Sequence, residues 1–263
     1  MSTNGVPEIW VNALGMKFKL VKPGEFVMGS PKTEWRRYAD ETPHSVRITR
    51  AYYLSLYPTT QAQWRAVVGE NPSNNVSLKQ APVENVSWYD CADFIDKINS
   101  DEYSLELRRF LGDAWRYVFP TEAQWEFACR AGTSSPYYFG DVATSSYGNF
   151  GKLNLDDKDK TTTEVGSYPP NPWGFYDMFG NVCEWTNDYY GEYSPNQTVD
   201  PIGASRVAER TARGGSWRSV PENCRSASRF NFLSTYRGDN CGLRLAIVEI
   251  SERSDGASTL DKK

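Results

Sequence analysis

The chain has 263 residues, a net charge of −4 and an aromatic content of 14%. This length allows one large domain or two small ones, and the interspersed charges contain no basic tract, which argues against a nucleic-acid partner. No apolar run is long enough to cross a bilayer, and the N-terminus lacks the charged and apolar regions of a secretion signal. We therefore predict a cytoplasmic protein without membrane insertion.

The cysteine and histidine content limits the sites that this chain can form. Five cysteines, none of them in a CxxC pair, give little support to a disulfide framework or a zinc site. Cys91 and Cys129 fit better as small buried side chains. His44 is the only histidine. A multi-histidine metal site is therefore excluded, and a Ser-His-Asp triad is possible only with His44.

The N-terminal part of the chain predicts short strands. Residues 1–11 are predicted to be a lead-in to the folded domain. Residues 16–30, MKFKLVKPGEFVMGS, predict two strands joined by a turn at Pro23 and Gly24. The polar segment 31–43 is predicted to be a loop, and the alternation in residues 44–56 predicts a further strand pair.

Three helices are predicted from their N-terminal caps and apolar spacing. Thr60 caps QAQWRAVVG, which ends at Gly69. Ser87 begins SWYDCADFIDKINS, and Thr121 caps EAQWEFACRAG, with Gly132 as the stop signal. Their apolar faces are assigned to the core and to no chemistry.

From residue 132 to about residue 210 regular patterning fades, although aromatic residues and carboxylates are frequent. Bound Ca²⁺ is one source of order for such a segment, because carboxylate and carbonyl oxygens suit this ion. The alternative is a solvated acidic loop at Asp156, Asp157 and Asp159. The polar residues 249–263 are predicted to be a disordered tail.

The segment 213–246 is the main candidate for function. It opens on RGGSW, which reads as the start of a strand, and closes on the alternating GLRLA. The run between them has neither a helical nor a strand period and is rich in Arg, Phe, Asn and Tyr. A long irregular segment held between strands is typical of a binding or active-site surface, and the alternative is an ordinary surface loop.

Five motifs in order resemble the formylglycine-generating enzyme-like domains. They are PGEFVMGS, TEAQWEFACRAG, VGSYPPNPWGFYDMFGNVCEW, RGGSW and GLRLA. This resemblance implies a single α+β domain over residues 12–248 with a C-type-lectin-like core, in which a small twisted antiparallel sheet and a few helices carry much irregular structure.

The resemblance also implies which residues would carry the oxidase chemistry of that family. Its enzyme converts a sulfatase cysteine to formylglycine and holds Cu(I) with two cysteines shortly after RGGS. Here the first position is Ser219 and the second is Cys224, and Cys183 replaces an aromatic residue in the GNVCEW block. Because a serine hydroxyl cannot replace a soft thiolate, we expect no copper and no enzyme activity. Iron-dependent relatives need several histidines, which this chain lacks.

The C-terminal segment resembles the variable proteins of diversity-generating retroelements, which use this fold as a binding scaffold. Fixed RGGSW, NCRSA and GxRL motifs alternate there with positions diversified at template adenines. No Lys, Glu, Gln, Met or Trp occurs at the corresponding positions here, as expected for changes at the adenines of Asn codons. The eleven positions are Arg218, Ser219, Val220, Phe230, Asn231, Phe232, Leu233, Gly238, Asp239, Asn240 and Cys241.

We therefore predict a non-enzymatic variable protein with its ligand-binding surface at these positions, together with Trp217 and Tyr236, and a protein as its ligand. Trp217, Phe230, Phe232 and Tyr236 would be the aromatic anchors, although Trp217 and Phe230 also suit core positions. Two alternatives are an enzyme related to the oxidase and an undiversified accessory binding domain.

The same resemblance implies two structural calcium sites made of oxygen ligands. The first would use the Asn149 side chain, the Phe150 carbonyl, Asp157 and Asp159. The second would use Asp177, the carbonyls of Gly180 and Val182, and Glu184. Both sets suit a hard cation.

Overall fold

The computed structural model describes residues 7–151, 161–194, 198–205 and 207–250 of the chain. Within these residues, eleven strands and four α-helices form. The strands are β1 (Ile9–Val11), β2 (Lys17–Val21), β3 (Gly24–Met28), β4 (His44–Ile48), β5 (Tyr52–Ser55), β6 (Trp115–Val118), β7 (Cys183–Tyr189), β8 (Glu209–Arg213), β9 (Arg229–Leu233), β10 (Cys241–Leu243) and β11 (Ala246–Glu249). The helices are α1 (Gln61–Val68), α2 (Trp88–Ile98), α3 (Asp101–Leu111) and α4 (Glu122–Arg130), and a 3-10 helix spans Pro221–Cys224.

Several predicted features lie partly or wholly outside the described residues. Asp156, Asp157 and Asp159 belong to this group, as do residues 1–6 of the predicted lead-in and residues 251–263 of the predicted tail. Residues 9–11 of the lead-in form β1 and pair with β2. In the described part of the chain, no helix has the length and apolar character that a membrane crossing requires.

Three sheets divide the strands. The largest has the order β1-β2-β5-β11-β6, and all of its neighbouring strands are antiparallel. The second has the order β10-β7-β8-β9 and contains one parallel pair, β10 with β7. The third is the hairpin of β3 and β4. The described residues therefore form the mixed α+β architecture predicted from sequence, with a parallel pair added to the antiparallel sheet.

The three predicted helices form where their caps predicted. Thr60, Ser87 and Thr121 each accept a hydrogen bond from the N3 amide, and the N3 side chain accepts one from the backbone amide of the cap residue. This reciprocal capping satisfies two backbone donors that a helix start otherwise leaves unpaired. Helix α4 ends at Ala131, which has the left-handed conformation, one residue before the predicted stop at Gly132.

The strand pairing differs from the sequence prediction. The strands on either side of the Pro23–Gly24 turn belong to different sheets, since β2 pairs with β1 and β5 while β3 pairs with β4. The predicted pair in residues 44–56 is also wrong, because β4 joins β3 and β5 lies between β2 and β11. Alternation in a sequence identifies a strand, but its partner is chosen by packing at long range.

The segment 213–246 is more regular than predicted. Strand β8 ends at Arg213, so RGGSW follows a strand and does not start one. The run that was predicted to be irregular contains the 3-10 helix and β9, which pairs with β8 from Arg213↔Arg229 to Glu209↔Leu233. Strand β7 was also missed in the region where patterning fades.

Two large hydrophobic clusters hold the sheets and helices together. One packs α1 and α2 between the large sheet and β7, with Trp185 and Phe94 fully buried in it. The other packs α4 against β3, β4 and β5 around the fully buried Trp125. The C-terminal segment crosses both clusters, because β10 joins the first and Ala246 the second. Residues of both hydrophobic clusters thus support the backbone of the candidate segment.

Candidate binding surface

A tight left-handed turn follows β8 and positions the start of the surface. Gly214 has φ +92° and Gly215 has φ +67°, a region that side chains rarely adopt. A Cβ on Gly215 would lie 2.4 Å from the Sγ of Cys224, and one on Gly214 would lie 3.0 Å from the Trp125 ring. Glycine is therefore required at both positions, by conformation and by close packing.

The positions that correspond to the family's copper ligands lie beside this turn. The Ser216 amide donates to Ser219 Oγ at 3.0 Å, and the two hydroxyl oxygens are 3.2 Å apart. Cys224 is 1% exposed, and its Sγ lies 3.7 Å from the Val220 carbonyl. A hydroxyl oxygen is a hard ligand, whereas Cu(I) prefers soft thiolates. The residues present do not fit a two-thiolate copper site at Ser219 and Cys224.

A stack of aromatic rings forms one part of the candidate surface. The rings of Phe232 and Tyr236 are stacked with centroids 4.6 Å apart, and those of Phe230 and Phe232 are stacked at 6.2 Å. Phe232 also meets the buried Trp185 edge-on at 5.8 Å. Tyr236 is 37% exposed, while Phe230 and Phe232 are half-buried against the core. The stack therefore has a fixed base and an exposed end at Tyr236.

Strand β9 separates the four predicted binding residues into two faces. Successive side chains of a strand point to opposite sides, so Phe230 and Phe232 share one face and Asn231 and Leu233 the other. Leu233 is 55% exposed, and Asn231 donates to the Glu209 carboxylate at 2.9 Å. The four predicted binding residues are thus divided between the two faces of β9.

A second group of residues continues the surface from Tyr236. The Tyr236 hydroxyl donates to Asn240 Oδ1 at 3.4 Å. The Trp217 indole donates to the Asp239 carbonyl at 2.9 Å, and the Arg218 guanidinium both pairs with the Asp239 carboxylate and lies over the Trp217 ring. These contacts join residues that are far apart in sequence. We call the set Trp217, Arg218, Phe232, Tyr236, Asp239 and Asn240 the aromatic surface.

Cys241 does not belong to any surface. It is fully buried in β10, where it is paired in register with Cys183 of β7. Burial raises the pKa of its thiol well above the ordinary range. The prediction that Cys241 contacts a ligand is therefore wrong, because β10 is buried along its whole length. Val220, Ser219 and Gly238 are half-buried at the margin of the aromatic surface.

Two arginines that sequence analysis did not assign to the site fix its backbone. Arg237 makes a two-pronged ion pair with Asp90 at 2.7 and 2.8 Å, which ties the loop before β10 to the start of α2. Arg225 is buried and pairs with Glu34 and Glu41 in the loop between β3 and β4. Arg225 belongs to the NCRSA motif and Arg237 lies just before the last group of predicted variable positions, but their partners are more than 100 residues away.

The described residues of the two predicted calcium sets meet at one place in the fold. Asn149 forms an isolated parallel bridge with Gly180, and the amide of Asn181 donates to the Asn149 carbonyl at 2.7 Å. The Asn149 side chain donates to the Thr161 carbonyl at 2.8 Å, and the Phe150 ring packs 5.0 Å from Phe179. Asp157 and Asp159 of the first set lie outside the described residues.

The carboxylates of the second set have different surroundings. Asp177 is 5% exposed and accepts from the Gly166 amide at 2.7 Å, and burial raises its pKa to about 6. A cation beside it would favour the ionised form. Both oxygens of Glu184 instead contact Arg244, at 2.7 and 2.8 Å, and one also accepts from the Trp125 indole. The charge of Glu184 is thus already neutralised, and only Asp177 and the carbonyls of Gly180 and Val182 remain suited to Ca²⁺.

Among the described residues, no group of three or more His, Cys, Asp or Glu side chains is arranged to hold a metal ion. A calcium site here would depend on backbone carbonyls and the Asn149 amide in addition to Asp177. Cys183 lies close to the turn after β8. Burial and the nearby Glu184 raise the pKa of its thiol to about 12, although hydrogen bonds from Ser216 and Gly215 act to lower it.

Comparison with known proteins relates the chain to both enzymes and a variable protein. A family model described as the sulfatase-modifying factor enzyme 1-like domain matches residues 15–248. The formylglycine-generating enzyme of Mycobacterium tuberculosis is 32% identical over 83% of this chain and 94% of that protein. Serine/threonine-protein kinase pkn1 of Chlamydia pneumoniae is 30% identical over 80% of this chain and 34% of its own length. The chain thus spans about a third of the length of this kinase.

A solved structure extends the comparison to the whole described fold. Variable protein 1 of Treponema denticola superimposes with a TM-score of 0.76 and 26% identity, and the match covers 92% of this chain and 99% of that one. The predicted C-type-lectin-like architecture and the resemblance to variable proteins are therefore confirmed.

Proposed function

Because the chain belongs to the family of sulfatase-modifying factor enzyme 1-like domains, we propose that it uses the family fold as a non-enzymatic variable protein of a diversity-generating retroelement. Its ligand would bind the aromatic surface. The similarity to Treponema denticola variable protein 1 over nearly the full length of both chains supports this proposal. So does Ser219, which occupies a position where the oxidases of the family need a thiolate.

The observation that carries the proposal is the continuity of the aromatic surface. Predicted ligand-binding residues from three separate parts of the segment meet through the Trp217–Asp239 hydrogen bond, the Arg218–Asp239 ion pair and the Phe232–Tyr236 stack. Tyr, Trp and Arg are the residue types that contribute most at protein interfaces, because they offer large contact areas at low entropic cost. A half-exposed, stacked surface of this kind suits a protein ligand better than a small molecule, which prefers an enclosed pocket.

The protein-level test uses Tyr236, the exposed end of the stack. A photo-crosslinking amino acid at this position identifies the ligand, whose affinity is then measured with purified components. We expect Tyr236→Ala and Arg218→Ala each to weaken binding at least about tenfold. The matched control is Leu233→Ala, since Leu233 is 55% exposed on the opposite face of β9. An equal loss in the control would place the ligand on the other face and contradict the proposal.

The genomic test addresses the retroelement itself. We expect a reverse transcriptase gene near this gene, with a near-copy of the DNA that encodes residues 217–241. Differences between the two copies should occur only where the near-copy has adenine. Differences at all four bases, or the lack of a near-copy, would leave an undiversified binding domain with the same surface.

A copper oxidase is the second candidate, because one observation favours it. The thiols of Cys183 and Cys224 both lie near Gly215, because the Gly215 amide donates to the Cys183 thiol and a Cβ on Gly215 would lie 2.4 Å from Cys224 Sγ. The test is incubation with Cu(I) and a cysteine-containing sulfatase peptide, with Cys183→Ala and Cys224→Ala as variants. We expect no aldehyde above background. Aldehyde that disappears in either variant would establish the oxidase and contradict the binding proposal.

We further propose a structural Ca²⁺ at Asp177 and the neighbouring carbonyls of Gly180 and Val182. The support is a buried carboxylate with one amide donor at 2.7 Å and a raised pKa. Added Ca²⁺ should raise the melting temperature, EDTA should lower it, and Asp177→Asn should remove the response. A melting temperature that changes neither with added Ca²⁺ nor with EDTA would refute the site.

A further inference from the structure

The loop between β3 and β4 separates its charges by sign. Residues 30–43 contain as many carboxylates as cations, so their sequence charge is zero. The carboxylates of Glu34 and Glu41 are buried and both pair with Arg225. Asp40 accepts from the Tyr190 hydroxyl at 2.7 Å and lies 4.0 Å from the Arg229 guanidinium. Every carboxylate of the loop therefore faces inward to a partner.

The cations of the loop are directed outward. Lys32 and Arg36 are exposed, and Arg37 is half-buried with its Nε donating to Ser30 Oγ at 3.2 Å. The outer side of the loop thus carries a local positive charge on a chain whose net charge is −4. Such a charge attracts an acidic partner and accelerates encounter with it, an effect that salt screens.

Two large aromatic side chains lie among these cations. Trp35 is 67% exposed and Tyr38 is 50% exposed. The Arg36 guanidinium lies over the Trp35 ring with its central carbon 4.9 Å from the ring centroid. Trp, Tyr and Arg are the residue types most enriched at interface hot spots. Burial of Trp35 by a partner would remove a large apolar area from water.

The loop holds these side chains in a fixed arrangement. The Arg36 carbonyl accepts from Arg225 at 3.0 Å, and Arg36 itself has φ +61°, in the left-handed region that only the surrounding contacts can maintain. The Tyr38 hydroxyl donates to the side chain of Asn223, a residue of the 3-10 helix, at 2.9 Å. A partner that binds here would therefore lose little affinity to ordering of the loop.

We propose that residues 32–38 form a second binding surface, which takes an acidic, extended protein segment. Lys32 and Arg36 would contact its carboxylates, and Trp35 and Tyr38 would cover its apolar side chains. None of these residues is at a predicted variable position, so this surface goes beyond the proposed function and does not depend on it. Nucleic acid fits less well, because three cations are few for a phosphate backbone and the rest of the chain is acidic.

The test is fluorescence anisotropy with the full chain and a labelled peptide of alternating Glu and Pro. Proline keeps the peptide extended and offers flat rings to the aromatic side chains. We expect Trp35→Ala and Arg36→Glu each to weaken binding at least about tenfold. Raising the salt from low to high ionic strength should weaken it as well. Because both side chains are exposed, the melting temperature should not change.

Two matched variants separate this surface from the rest of the chain. Arg109→Glu reverses an exposed cation on α3 and should leave binding within about twofold of the unaltered chain. Tyr236→Ala should also leave peptide binding unchanged, which separates this result from that of the aromatic surface. The proposal is overturned if a peptide with Gln in place of Glu binds equally well, or if Arg109→Glu has the same effect as Arg36→Glu. Absence of peptide binding, or tighter binding of a single-stranded oligonucleotide, would overturn it too.

Discussion

Replacement of Arg225 by Met should destabilise the protein more than any surface change. The Arg225 side chain is 2% exposed, and it donates to Glu34, to both oxygens of Glu41 at 2.7 Å and to the Arg36 carbonyl at 3.0 Å. Removal of one partner of a buried ion pair costs about 3–5 kcal/mol, because the other charge stays buried without a partner. For a chain of this size, 4 kcal/mol corresponds to a fall in melting temperature of roughly 8–16 °C.

The pH dependence of this loss tests the reasoning independently. In the unaltered protein burial opposes ionisation of Glu41, but the Arg225 hydrogen bonds and charge outweigh it and lower the pKa of Glu41 below its ordinary value. A lowered folded-state pKa stabilises the fold above the unfolded pKa, and that stability is lost as pH falls through the folded pKa. Burial already raises the pKa of Glu34 although Arg225 opposes this shift. Without Arg225, burial should raise the pKa of both carboxyls above the ordinary value, so the variant should regain stability as pH falls from 7 towards 5.

Urea unfolding at pH 7 and pH 5 measures the effect. The control is the triple variant Arg225→Met, Glu34→Gln, Glu41→Gln, which has no buried charge in the loop and should recover more than half of the lost stability. A loss below about 1 kcal/mol, typical of an exposed pair, would show that solvent reaches these carboxylates. A loss that is the same at both pH values would contradict the assigned cause.

Two further changes test the turn after β8 and a buried acid of β7. Gly215→Ala places a Cβ 2.4 Å from Cys224 Sγ at φ +67° and should cost roughly 2–4 kcal/mol in urea unfolding. Gly69→Ala, at φ +97° with no atom within 4 Å, should cost only about 1 kcal/mol, and equal losses would exclude the contact as the cause. Burial and the nearby Glu122 raise the pKa of Asp188 to about 8, so its contribution to stability is complete below its unfolded pKa and is lost as pH rises towards 8. The Asp188→Asn variant has no ionisable group at this position. Its free energy of unfolding relative to that of the unaltered protein should therefore rise by up to about 1.4 kcal/mol per pH unit between pH 5 and 8. Parallel curves of stability against pH for the two proteins would refute the raised pKa.

The helices show which part of the fold a sequence can predict. Thr60, Ser87 and Thr121 each precede a helix with a capping box, a signal contained in four consecutive residues. Helix α3 was missed because Ser100 makes no side-chain cap and only two residues separate the end of α2 from the start of α3. Strand partners were also missed, since β11 lies between β5 and β6 although the chain places it last. Local signals predict elements, and long-range packing decides which of them pair.

The residues of the candidate surface were likewise only partly predictable from the sequence. The motif spacing predicted that Trp217, Tyr236 and Asp239 share a surface, and the contacts between them join residues up to 22 positions apart. The burial of Cys241 was not predictable from an alternation of apolar and polar residues. Strand β10 is covered on both faces, so all three of its residues are buried. The pairing of Glu184 with Arg244 was not predictable either, because Arg244 is 60 residues away in sequence.

The buried arginines explain how the segment could tolerate exchange at the predicted variable positions. Arg213, Arg225, Arg229 and Arg244 lie in the segment but not at predicted variable positions, and each pairs with a carboxylate outside the segment. Arg229, for example, holds Glu122 of α4 at 2.7 and 2.9 Å. These contacts fix the backbone on both sides of the exposed positions without using the side chains that would vary. Replacement of an exposed side chain therefore leaves the framework intact. Among the predicted variable positions Cys241 is different, because it is fully buried and the core admits only a small apolar residue there.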